Sequence, residues 1–190
     1  EPKICRYIDI PLQHIADRQL SAMRRGITKR GTEELIARLR REVPGIAIRT
    51  TLLVGFPGES EEDFAELTDF VERQRFERLG VFPYSAEEGT PSAEMADDVP
   101  EEVKQARVER IMELQRNISH EANVARIGRK LRVVVDRREG DYYVARSEYD
   151  SPEVDQEILI PVAEGRLLPG EFREVVVTAC EEYDLYGRLA

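Results

Sequence analysis

Over the first hundred residues the apolar positions switch between two periods. Tyr7–Gln13, YIDIPLQ, reads as a buried strand closing on a Pro-containing turn. DRQLSAMRRG follows as a short helix, with Asp17 placed to cap it, Leu20 and Met23 facing inward and Gly26 ending it. TEELIARLRREV carries Leu35, Ile36, Leu39 and Val43 on one face, with Thr32 as the expected cap and Pro44-Gly45 as the stop. IAIRTTLLVG is rich in β-branched residues and reads as a strand. SEEDFAELTDFVERQ is a helix whose Ser60 and Asp63 stand at capping-box spacing and whose stripe is Phe64, Leu67, Phe70 and Val71. RLGVFPYS is a third strand. A helix fills each gap between strands, which predicts parallel pairing through βαβ units.

A loop, AEEGTPSAEMADDVP, leads into a long helix from Glu101 to Asn123, with Val108, Ile111, Leu114 and Ile118 on its expected buried side. From Arg126 the texture changes. KLRVVVD, YYVARS, EILIP, REVVVTACE and DLYGRL are short strand candidates, punctuated by Gly140, Gly165 and Gly170, and they predict a small antiparallel barrel. The expected division is residues 1–124 and 125–190. Three parallel strands do not close a barrel, so the first part reads as a partial α/β (βα) barrel whose first strand leaves an open edge. The abrupt start, with a strand almost at once, is what a piece of a longer protein would show.

Composition narrows the classes. The chain has 190 residues, 41% hydrophobic and 35% charged, and no apolar run long enough to span a membrane. Its start lacks the pattern of a signal peptide. A formal charge of −10 argues against a protein that grips nucleic acid unaided, and fits either a basic partner or plain solubility. Two cysteines, Cys5 and Cys180, far apart in sequence, provide neither a disulfide framework nor a self-contained metal site, and a cytoplasmic protein is expected.

The stretch VGFPGES invites comparison with phosphate loops. It has neither the Gly-Lys-Ser/Thr ending nor a Gly-x-Gly-x-x-Gly pattern. Glu61, Glu62 and Asp63 already place negative charge at the following helix N-terminus, where a polyphosphate would be repelled. Two readings remain: a tight turn stiffened by Pro57, or glycines allowing close backbone approach of a neutral or zwitterionic group such as a nucleoside. In (βα) barrels, residues at the C-terminal ends of strands face the site. Here these are Gln13 and His14, the Gly55–Glu59 turn, and Tyr84 with Ser85. Gln13 can fix an amide, hydroxyl or carboxylate, and His14 suits a structural hydrogen bond or a site role. Arg24 and Arg25 complement a helix dipole or clamp a carboxylate.

DIPLQHIADRQLSAMRRGIT, RTTLLVGFPGESEEDF and RLGVFPYSAEEGTPSA, in this order, resemble the radical S-adenosylmethionine methylthiotransferases. The resemblance covers nearly the whole chain. Met23–Gly26 and EEGTPSA favour the branch that methylthiolates an aspartate of a small-subunit ribosomal protein; enzymes acting on transfer RNA tend to carry Gln-Ser-Gly where this chain has Gln13-His14. The last part resembles the TRAM domain, a small OB-like barrel used for substrate recognition. The resemblance implies S-adenosylmethionine at the barrel mouth, with Gln13, Arg25, Gly55, Glu59 and Tyr84 as cofactor-binding residues, and no catalytic or metal residue in this chain. It also implies two [4Fe–4S] clusters in the full-length enzyme. Their ligands, including the Cys-x-x-x-Cys-x-x-Cys motif, are not in this sequence, so the chain alone is expected to be inactive. The implied partners are a basic small-subunit ribosomal protein and the missing N-terminal half.

Acids crowd the terminal barrel: Glu148, Asp150, Glu153, Asp155, Glu157, Glu181, Glu182 and Asp184. Such a surface complements a basic ribosomal protein, and RNA binding by this chain is not expected. The alternatives are an enzyme of the same chemistry acting on transfer RNA, and a noncatalytic module that docks a ribosomal protein.

Overall fold

A computed structural model describes residues 3–190. It divides into two compact units. One is Ile8–Gln115; the other combines the segment ending at Tyr7 with Arg116–Ala190. The boundary falls inside the longest helix, between Gln115 and Arg116.

The order is β1 (Tyr7–Gln13), α1 (Asp17–Ala22), α2 (Lys29–Glu42), β2 (Ala47–Val54), α3 (Glu61–Gln74), β3 (Arg78–Pro83) and α4 (Glu101–Val124). The strands form a three-stranded sheet ordered β1-β2-β3. β2 and β3 are parallel, in register from Arg49 opposite Arg78 to Val54 opposite Pro83. Buried Thr50 stitches the first two strands: its hydroxyl donates to Ile10 O (2.9 Å) and accepts from Leu12 N (3.4 Å). Ile48, Leu52 and Val54 of β2, Leu67, Phe70 and Val71 of α3, and Phe76 are all closed to solvent, with the Phe70 and Phe76 rings edge-on.

Helix starts depart from expectation in two places. Thr28, not Thr32, caps α2, accepting from Gly31 N, so the helix begins a turn earlier through Gly31. Thr32 is buried instead, and its hydroxyl donates back to Thr28 O. Helix α1 begins after Ala16 with no side-chain cap; Asp17 lies within its first turn and accepts from Lys29 N (2.6 Å). The chain leaves α1 through Arg24 at φ 56°, before Gly26 is reached. The Ser60–Asp63 capping box of α3 is present in both directions.

Helix α4 buries Ile111 and Ile118 as expected, but its buried face also takes in polar residues in place of Val108 and Leu114. Lys104, Arg107, Ile111, Gln115, Ile118 and Ser119 are buried, while Val108 and Leu114 are only half-buried.

The second unit is a closed barrel of β4 (Lys130–Glu139), β5 (Tyr142–Ser147), β6 (Ile158–Pro161), β7 (Phe172–Cys180) and β8 (Leu185–Leu189), ordered β4-β5-β6-β8-β7. It is not wholly antiparallel. β6 and β8 run parallel, Ile158 opposite Leu185, and this one pair lets five strands close with no edge exposed. Inside lie Val133, Val135, Tyr143, Ala145, Ile158, Ile160, Leu167, Val175, Val177 and Leu185. Gly187 is required where β8 meets β7, since a Cβ there would overlap Val175.

Candidate functional site

The ends of all three strands in the first unit meet. Tyr84 N, just past β3, donates to Val54 O at the end of β2 (2.8 Å). His14, just past β1, reaches the turn after β2 through Glu59: Nε2 lies 2.9 Å from Oε1, with both side chains wholly buried. Because His14 Nδ1 accepts from Ala16 N (3.0 Å), Nε2 is the nitrogen that carries hydrogen and donates to Glu59. The other Glu59 oxygen accepts from Gly55 N (2.5 Å) and from Arg107 Nη1 of α4 (2.6 Å). One buried carboxylate thus joins β1, the glycine turn and α4.

The Gly55, Gly58 and Glu59 amides of the turn are engaged within the protein. Gly55 N donates to Glu59, Gly58 N to Asp98 Oδ1 (2.7 Å), Glu59 N to Phe56 O, Ser60 N to Asp63 and Asp63 N to Ser60 Oγ. Pro57 has no N–H. This is the opposite of a phosphate cradle, which leaves its amides pointing at the ligand. Glu61 pairs with Arg107 Nη2 (2.5 Å), and Asp63 pairs with Arg18, which also donates to Gly58 O (2.6 Å). Burial alone pushes the Asp63 carboxyl up, but hydrogen bonds from Ser60 N, Arg18 and Gln19 outweigh it and hold the group below its ordinary value. Glu62, exposed, is also held low, first by its own backbone N–H and then by Ser60.

Gly55 sits at φ 73°, and a Cβ there would overlap the Lys104 side chain. The room that its hydrogen leaves is filled by the lysine stem from α4, so close approach of a ligand is not what demands glycine at this position.

Beside these strand ends lies a groove of about 450 Å³ lined by Gln13, Met23, Arg24, Arg25, Phe56 and Met95, among others. Of the five residues proposed from sequence, Gln13 and Arg25 line it. Gln13 is held at φ 72°, a conformation that costs a non-glycine residue on the order of 1 kcal/mol and that concentrates at ligand sites. Arg25 is anchored by Nη2, which donates to Pro11 O (2.5 Å). Gly55, Glu59 and Tyr84 stand behind the lining. Tyr84 is buried, donates to Ser92 O (2.9 Å) and packs edge-on against Phe56 with centroids 5.1 Å apart. It therefore supports the aromatic floor from below. Met23, expected to face inward, is half-buried and lines the groove; sequence reasoning did not single out Phe56, Met95 or the buried cations Lys104 and Arg107. Phe56 lies inside the turn that attracted attention; the cations gave no signal, because charge on a helix is read as surface.

In the second unit the acids are largely engaged. Glu148 pairs with Arg6 (2.7 Å), Asp150 accepts from Ser147, Asp155 from Tyr7, Glu181 from Tyr186 and Asp184 from Glu157 N, while Glu157 pairs with Arg137. The Arg6 hydrogen bond holds the Glu148 carboxyl below its usual range against the opposing effect of burial. A separate groove of about 470 Å³ brings together Lys3, Arg132, Arg146 and Phe172. Phe172 is 58% exposed and carries the Arg132 guanidinium 4.7 Å from its ring centroid. No group of three or more metal-capable side chains occurs among the described residues, and no helix there is long and apolar enough to cross a membrane.

Residues 127–190 match the TRAM domain family. The chain is 52% identical over 187 residues to the ribosomal protein uS12 methylthiotransferase RimO of Bacteroides thetaiotaomicron, covering 98% of this chain and 43% of that protein. It is 55% identical over 190 residues to the RimO of Porphyromonas gingivalis, covering 99% and 44%. Among solved structures it is similar to coproporphyrinogen III oxidase (HemN) from Escherichia coli, described as a radical SAM enzyme, with TM-score 0.46 and 17% identity over 62% of this chain and 27% of that one. Residues 127–190 are thus similar to TRAM domains, and over its own length the chain is similar to methylthiotransferases. Within them, the relatives it matches at this level bear the name RimO, and the chain spans less than half of their length.

Proposed function

We propose that the chain provides part of the S-adenosylmethionine site and the substrate-docking barrel of a cytoplasmic methylthiotransferase acting on an aspartate of a small-subunit ribosomal protein. Residues 1–124 are then the second half of a (βα) radical-enzyme barrel with its linking helix, and 125–190 the TRAM domain. The observation that carries the reading is identity above 50% to uS12 methylthiotransferases along essentially the whole chain.

The first-unit groove fits S-adenosylmethionine in chemistry. Its volume falls in the range of small-molecule sites, roughly 300–1,000 Å³. Phe56, Leu53, Met23 and Met95 offer apolar and aromatic surface for an adenine, Gln13 a neutral hydrogen-bonding group, and Arg24 and Arg25 guanidinium groups for an amino-acid carboxylate. The Gly55, Gly58 and Glu59 amides of the glycine turn are engaged within the protein and do not cradle a phosphate, and this ligand has none. When bound beside a reduced cluster, S-adenosylmethionine supplies the radical that abstracts hydrogen; this chain's residues bind and orient it.

The clusters do not fit this chain. A [4Fe–4S] cluster needs several neighbouring thiolates, and the chain has two cysteines in all, Cys5 exposed and Cys180 half-buried. Their ligands belong to the missing N-terminal half, and the chain by itself is inactive.

Calorimetric titration tests the reading. S-adenosylhomocysteine binds the chain and ATP does not; tighter binding of ATP would contradict it. A second reading, an enzyme of the same chemistry acting on transfer RNA, draws support from the groove where Lys3, Arg132 and Arg146 flank exposed Phe172, although Glu148 and Asp150 line it as well. Steeply salt-dependent RNA binding, lost on Phe172→Ala, would favour it over the ribosomal-protein substrate.

A further inference from the structure

We propose that Lys104 is a positioning residue that latches the 86–98 segment in place as one wall of the first-unit groove. What the groove holds rests on the reading above; the latch stands on side-chain geometry alone.

Residues 86–98 are exposed or half-exposed throughout. Their backbone hydrogen bonds join near neighbours: Thr90 N to Glu87 O, Ala93 N to Thr90 O and Met95 N to Ser92 O. A segment built this way has little stability of its own. Even so, its Thr90, Pro91, Ser92 and Met95 form one side of the groove.

Three tethers fix it: Tyr84 Oη to Ser92 O (2.9 Å), Gly58 N to Asp98 Oδ1 (2.7 Å) and Lys104 Nζ to Asp97 Oδ2 (2.6 Å). Lys104 differs from the other two because one side chain serves both floor and wall. Its stem fills the space under Gly55. Its ammonium lies 5.3 Å from the centroid of the Tyr84 ring and 3.4 Å from Tyr84 O, and Tyr84 supports Phe56.

The burial is lopsided: the Lys104 side chain is 4% exposed and Asp97 42%. A buried ammonium needs a counter-charge. Apart from Asp97, the other acid facing it is Glu101, at 3.9 Å. Moving the segment away would strip the cation of its short ion pair, so the cost of burying Lys104 holds the exposed wall closed. Wall residues fixed in this way favour slow ligand escape.

Lys104→Met keeps the stem and removes the charge. In the ligand-free chain, cleavage by a glutamate-specific protease after Glu87, Glu88 and Glu94 is expected to accelerate about tenfold, while the thermal midpoint moves by no more than a few degrees. Adding Asp97→Ala to Lys104→Met is expected to bring no further acceleration, since both remove one contact. Unchanged cleavage in a folded Lys104→Met chain overturns the latch. Should that variant fail to fold, Asp97→Ala alone, which leaves the stem in place, is read the same way. A wild-type chain that fails to bind S-adenosylhomocysteine while the acceleration is intact removes the nucleoside reading and leaves the latch standing.

Discussion

Glu59 and His14 form a hydrogen bond with neither side chain exposed to solvent, and through it the end of β1 is held against the turn that follows β2. Arg107 completes the arrangement from α4 at 2.6 Å. Glu59→Ala would leave the buried Arg107 guanidinium with the exposed Glu61 carboxylate alone of this pair, and would free the Gly55 amide and His14 Nε2. A loss of about 3–5 kcal/mol in urea unfolding is expected; a loss below about 1 kcal/mol would show that water replaces the carboxylate at little cost.

Gly55 and Lys104 compete for one space. Gly55→Ala carries a steric cost, from overlap with the lysine stem, and a backbone cost, from φ 73°. In a Lys104→Ala background the first disappears, so the penalty should fall to about 1–2 kcal/mol, the backbone part alone. Equal penalties in both backgrounds would place the strain elsewhere.

Acid sensitivity of the first unit should trace in part to Asp63. Its folded pKa is depressed, so its contribution is complete above the unfolded value, about 4, and is lost as pH falls through the lower folded value. Asp63→Asn is expected to cost about 1–2 kcal/mol at neutral pH, as loss of a helix cap does. It should also flatten the stability profile below about pH 4. A variant that keeps the wild-type slope there would assign the acid limb to other carboxylates, with Glu148 in the second unit the next candidate.

Features whose cause is local were legible in the sequence. The Ser60–Asp63 box depends on residues three apart, and it formed as spaced. The strand ends at Gln13, Gly55 and Tyr84 follow from alternation and turn chemistry. Thr28 displaced Thr32 as a cap because both satisfy the same rule and burial of Thr32 decided between them. The buried cations were illegible for a different reason. Lys104 and Arg107 look like the solvated side of α4 until Asp97, Glu59 and Glu61 are brought to them, the latter two from more than forty residues away. Likewise the β6–β8 parallel pair is set by closure of the barrel, which no short window contains. The crowd of acids read from the barrel sequence was a count, and geometry gave most of them partners.

Barrel closure makes its own demand at Gly187. An added methyl meets Val175 on the neighbouring strand, so Gly187→Ala is expected to lower stability by about 1–3 kcal/mol. Val175→Ala in the same chain should recover part of that loss, as measured by thermal unfolding.

The claim on which the functional account rests is that the groove beside the three strand ends receives a phosphate-free nucleoside. Amide chemical-shift mapping during titration with S-adenosylhomocysteine tests it most directly. The account expects shifts concentrated at Gln13, Arg24, Arg25, Phe56 and Thr90–Met95, diminished by Arg25→Ala. Shifts confined to the barrel residues 130–189, or none at millimolar ligand, would contradict it.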